Sequence, residues 1–203
     1  MIFSSSRVRI ARAAFFALVA CATLSGCISA KMYVDPGLPK VSRTDMPVLP
    51  ETHPVQVLFE FQTKGNANAR ATSAIQPRVV AVAAESGLFS KISTSADQSD
   101  AGILKIVINN MPLTDNVAAK GFGTGLTLGL AGSLVKDGYV CTASYSRNGK
   151  TTDVLVDHAI YTTIGNHSAP EGLTPMDPQS AVHLAMDQIT WNVLKQLAEK
   201  KAF

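Results

Sequence analysis

The sequence predicts a single α+β domain: a mainly antiparallel sheet with two main helices packed on one face, preceded by a signal peptide and a flexible tether. Three observations carry this. Short runs of alternating apolar residues recur along the chain, two stretches place apolar residues at helical spacing, and Asn148-Gly149 joins two β-rich runs as a type I′ turn pair. Strands interleaved with helices that share one apolar face give this layered arrangement.

The first 26 residues read as a secretion signal. Arg7, Arg9 and Arg12 make a positive start, and no acidic residue appears before Asp35. The apolar core from Ala13 to Leu24 is about a dozen residues, which suits a signal and falls short of the ~20 of a transmembrane helix. Residues 27–54 are expected to be a tether. Pro36, Pro39, Pro47, Pro50 and Pro54 interrupt any helix, and such a segment spans up to roughly 80 Å when extended. The folded body is expected over 55–203.

Val55, Val57, Phe59 and Phe61 alternate through a first strand. A helix follows from about Asn66 to Ser86, with Ala71, Ile75, Val79 and Ala83 on one face. Pro77 should kink it or divide it, and Gly87 supplies its C-cap. "LFSKIST" reads as a short strand, and Gly102 to Asn110 as a longer one with Leu104, Ile106 and Ile108 facing one way. A two-residue loop at Asn148-Gly149 pairs Arg147 with Lys150. Tyr139, Cys141, Ala143, Val154, Val156, His158 and Ile160 then share the core face, and Thr142, Ser144, Asp153 and Asp157 the other, with Val140 and Leu155 as apolar exceptions. Asp177 and Pro178 open a last helix whose stripe is Val182, Ala185, Met186, Ile189, Val193 and Leu197.

Residues 121–135, "GFGTGLTLGLAGSLV", carry five glycines and no charge. The run lacks the third glycine of a dinucleotide fingerprint and the Gly-Lys-Ser/Thr of a phosphate loop. It is too short to cross a bilayer as a helix, though Gly125 to Gly129 fits a close-packing GxxxG pattern. Either it packs closely against the sheet, or Gly121, Phe122, Gly123, Gly125, Leu126, Leu128, Gly129 and Leu130 form an apolar contact to a membrane or partner.

Leu24-Ser25-Gly26-Cys27 resembles the motif read by bacterial signal peptidase II, and the chain looks like a bacterial lipoprotein precursor. The resemblance implies cleavage before Cys27, a diacylglycerol and an N-acyl chain on that cysteine, no other cofactor, and, with Ile28 rather than Asp next, delivery to the outer membrane facing the periplasm. Multiple acyl chains anchor a protein essentially permanently. Over residues 55–200 the element order also resembles the TolB N-terminal and CsgG-type periplasmic domain, with no functional residue carried across.

Cleavage would remove three arginines from a precursor with 18 Lys+Arg and 15 Asp+Glu, leaving a balanced chain without the basic field nucleic acid requires. Cys21 would leave and Cys27 be acylated, so Cys141 would have no disulfide partner. No GxSxG, HExxH or CxxC motif occurs, and His53, His158, His167 and His183 lack metal-ligand spacing. His158 is expected to be a satisfied core histidine, Cys141 an inert buried thiol, and Asp153 with Asp157 a solvated pair. The expected function is therefore a non-enzymatic adaptor or assembly factor on the outer membrane with an envelope protein as partner. The competing readings are a lipid or small-ligand carrier with a pocket between the Gly-rich segment and the hairpin's apolar face, and, third, an envelope hydrolase.

Overall fold

Strict alternation in the long strands sets the architecture. The structure, a computed structural model of the 203-residue chain, describes residues 30–96, 101–113 and 133–203. The signal, Cys27 and residues 121–132 of the Gly-rich run lie outside the described residues. The elements are β1 (Ala30–Val34), β2 (His53–Thr63), β3 (Asn66–Ala67), α1 (Ala69–Glu85), β4 (Phe89–Ser93), β5 (Gly102–Pro112), β6 (Ser133–Arg147), β7 (Lys150–Ile164) and α2 (Pro178–Glu199). The strands form one seven-stranded sheet in the order β1-β7-β6-β5-β2-β3, with β4 also on β2. It is a single α+β domain, and the sheet is mixed: β2 runs parallel to β4 and β5, and the other pairs are antiparallel.

The hairpin forms in the expected register. Arg147 faces Lys150, Ala143 faces Val154, Cys141 faces Val156 and Tyr139 faces His158. Asn148 and Gly149 both take positive φ, 51° and 73°, as the two central positions of a type I′ turn must. The inner face is core: Leu104, Ile106, Ile108 and Cys141 are fully buried, and the hairpin's Tyr139, Ala143, Val154, Val156, His158 and Ile160 are each below 9% exposed. Burying each large aliphatic side chain contributes roughly 1.5–3 kcal/mol.

Both helices cover this inner face. In α1, Asn68 caps the start by accepting from the Ala71 N–H at 3.0 Å. Pro77 neither divides nor ends the helix, which continues to Glu85. It stands on the exposed side, where the Ser73 carbonyl left without its donor can meet water. In α2, Asp177 caps Ser180 N–H at 3.0 Å with Pro178 at the first helical position. Burial runs wider than the expected stripe and includes Thr190, Trp191, Asn192 and Leu194. Arg78 on α1 grips Asp187 on α2 through both carboxylate oxygens, tying the helices side by side. The pair is partly exposed and worth at most about 1 kcal/mol.

The expected tether is a correction. Residues 30–54 belong to the domain: Ala30–Val34 pairs antiparallel with Ile160–Ile164. The following chain straps the helix layer. Asn192 donates to the Pro39 carbonyl at 2.9 Å, Val41 and Met46 enter the core at 8% and 6% exposure, and Arg43 packs over Gly87. Gly87 has φ +67°, a conformation that favours glycine, and the Arg43 guanidinium packs where a Cβ would stand, 2.6 Å from that position. The prolines that break helices here shape an extended strap. A second correction concerns the Gly-rich run, whose last residues Ser133 to Val135 open β6, with Val135 only 3% exposed.

If the strap is core, Met46→Ala lowers stability in urea denaturation by about 2–4 kcal/mol. A residue of a free tether shifts it by no more than about 0.5 kcal/mol.

Candidate functional site

Leu24, Ser25, Gly26, Cys27 and Gly121 to Leu130 lie outside the described residues, but their points of attachment do not. Ala30 pairs with Ile164, and Ile164 pairs with Ser133 on its other side. Leu113 donates its N–H to the Lys136 carbonyl at 2.9 Å. The chain therefore enters the sheet from Cys27, and leaves and re-enters it around the Gly-rich segment, at one and the same end. Met111 and Leu113 present exposed apolar side chains there, 41% and 59% accessible.

Just inside this end, β1 is held by a polar knot. The Tyr161 hydroxyl donates to Asp35 at 3.0 Å, Lys136 stands 3.8 Å from the same carboxylate oxygen, and its ammonium lies 4.9 Å from the Tyr161 ring centre. Burial alone would raise the Asp35 pKa, but the Gly37 N–H, the Tyr161 hydroxyl and Lys136 together hold it below the ordinary carboxylate value. Lys136 is held more basic than usual, first by Tyr161 and then by Asp35. These groups neutralise one another, a structural clasp rather than a reactive centre.

His158 is the satisfied core histidine the register implies, with Nε2 2.8 Å from Gln188 Oε1 on α2. Burial pushes its pKa down, opposed by the Gln188 bond and by Asp35. Cys141 is fully buried, and desolvation pushes its thiol up to about 12, which removes the thiolate a nucleophile needs. Asp153 and Asp157 are both exposed on the outer face of β7. Among the described residues, no group of three or more His, Cys, Asp or Glu side chains is placed to hold a metal ion. Among them, too, no helix is long and apolar enough to cross a membrane.

The hairpin's apolar face cannot line a ligand pocket, because α2 packs onto it and the face is itself core. The concave surface lies opposite. An open groove of about 550 Å³ runs over the outer faces of β5, β6 and β7. Lys105, Val107, Thr142, Ser144, Asp153 and Leu155 line it, with Lys200 at its margin. Four exposed apolar residues share that outer face: Leu58 (39%), Ile103 (41%), Val140 (38%) and Leu155 (55%). Alternation made this face legible in the sequence, but the groove combines four segments and only the strand order brings them together.

No family model matches the chain, and no curated protein matches it in sequence. Solved structures with a related layout include a minor lipoprotein from Acinetobacter baumannii, 10% identical, covering 76% of this chain and 96% of its own, at a TM-score of 0.42. The PelC dodecamer from Paraburkholderia phytofirmans is 11% identical, covers 82% of this chain and 96% of its own, and has a TM-score of 0.35. At these scores neither neighbour assigns a function to this chain.

A buried histidine with a lowered pKa binds its proton more readily in the unfolded chain. Its contribution is complete above its ordinary value of about 6.5 and declines as pH falls through that window. The melting temperature is expected to drop between about pH 7.5 and about pH 5, and to drop less in His158→Gln, followed by circular dichroism.

Proposed function

We propose that this chain is a lipid-anchored protein of the bacterial envelope, carried on the outer membrane through acylated Cys27, and that it works as a non-enzymatic adaptor. The observation that carries the reading is the distance along the chain from the lipobox to the sheet. Only Ile28 and Ser29 separate Cys27 from β1, three Cα steps or roughly 10 Å. An anchor so close to a paired strand holds one end of the sheet against the bilayer. The Gly-rich segment, uncharged from Gly121 to Val135, is tied to that same end through Leu113 and Ser133. This supports its reading as an apolar contact with the membrane.

The rest of the fold fits a scaffold. Among the described residues, His158 is buried against Gln188, the Cys141 thiol is buried and held protonated, and Asp153 and Asp157 stand exposed on the outer face. The β6–β7 hairpin, with 15 residues in each strand, extends about 50 Å from the anchored end to its turn. An adaptor needs that geometry, one end fixed at the membrane and the other presented to the periplasm.

Cys27→Ser tests the anchor by metabolic palmitate labelling and membrane fractionation. Wild type is expected to carry label in outer-membrane fractions, and the variant to lose both label and attachment. A wild-type chain that never incorporates palmitate overturns the reading.

A further inference from the structure

Among the described residues, the turn end of β7 is an open sheet edge. β1 covers only Ile160 to Ile164, and the Asp35 N–H takes the Ala159 carbonyl at 3.0 Å. From Lys150 to Asp157, no strand lies beyond β7 among the described residues. The outward direction of the backbone follows from two bonds. The Ala159 carbonyl points away from β6 to meet Asp35, and the Asp153 carbonyl points the same way to meet Lys200 Nζ at 2.7 Å. Since strand polarity repeats every second residue, Leu155 and Asp157 also aim their N–H and C=O outward. Their side chains stand on the outer face beside the groove, exposed, in the order acid, apolar, acid.

Unpaired backbone groups on an edge are a template for a further strand. The side chains decide which strand. On an added antiparallel partner, the residues opposite Asp153, Leu155 and Asp157 share their face, and opposite charges there stabilise while like charges repel. A second copy pairing through its own β7 edge cannot supply the complement. The outward positions 151, 153, 155, 157 and 159 are Thr, Asp, Leu, Asp and Ala, with two acids and no base, so no antiparallel self-register gives either carboxylate a cation.

We infer that the β7 edge from Asp153 to Asp157 accepts an extended segment of a partner protein that alternates basic, apolar, basic at every second residue. Lys200 covers the Asp153 carbonyl until the partner's N–H replaces it. The inference names a partner chemistry for the adaptor reading and rests on it. A failed palmitate label leaves the experiment below untouched, and failure of that experiment leaves the anchor standing.

The test is fluorescence anisotropy on the full-length protein in detergent micelles, with a fluorescein-labelled peptide acetyl-Thr-Lys-Thr-Val-Thr-Lys-Thr. Saturable binding is expected, and replacing both peptide lysines by glutamate weakens it roughly tenfold. Methylating the valine nitrogen abolishes it, because that N–H pairs with the edge. Asp153→Lys with Asp157→Lys, both exposed and so compatible with folding, reverses the preference toward the glutamate peptide. Three results overturn the proposal. One is absence of saturable binding up to about 1 mM peptide. Another is charge-dependent binding indifferent to N-methylation, which marks surface attraction only. The third is concentration-dependent self-association in sedimentation that Leu155→Pro removes, which makes the occupant a second copy.

Discussion

Everything in this fold hangs on the register of one hairpin. Side chains alternate with a period of two, so a slip of β7 by one residue against β6 would send Val156 and His158 to water and bring Asp153 and Asp157 under α2. The two-residue turn at Asn148 and Gly149 prevents this because its positive φ values admit no extra residue in the loop. One local constraint thereby fixes the burial of the inner face, the contact of His158 with Gln188, and the identity of the residues on the open face.

That constraint works with a second, global one. β6 is paired to β7 along its length and to β5 from Asp137 to Ser146, so the register passes inward to Leu104, Ile106 and Ile108. β5 passes it to β2 through nine parallel pairs. The helices then add what a single apolar face requires, a lid. α2 covers the β7 side, α1 the β2 side, and Arg78 with Asp187 closes the seam. The sequence between β1 and β2 closes the layer from outside, with Asn192 and Gly87 as its two fastening points.

What could be read from the sequence was local. The alternation of β5, the turn of the hairpin and the Asp177 cap each lie within a few residues of the groups that cause them. β1 was not legible, because its five residues gain their identity from Ile160 to Ile164, some 130 positions later, while the surrounding prolines signal an unfolded segment. The parallel pairing of β2 with β5 was hidden for the same reason: nothing in either strand names its neighbour. The open groove and the free edge follow from strand order, so they became visible only with the topology. The most distinctive motifs of the chain, around Cys27 and the glycines, lie outside the described residues, and the sequence alone speaks to them.

The placement of β1 has a mechanical consequence. The chain coming from Cys27 enters β1 at Ala30, beside Ile164, while the β6–β7 turn lies at the opposite end of β7. Tension between a membrane anchor and a load on the turn end would draw the two antiparallel strands past one another along their own axes. Their hydrogen bonds lie across that direction, so all five residue pairs would share the strain at once, instead of opening in sequence from one end. Under such a load β1 would be a shear joint: short, and oriented so that pulling along the sheet meets its greatest resistance.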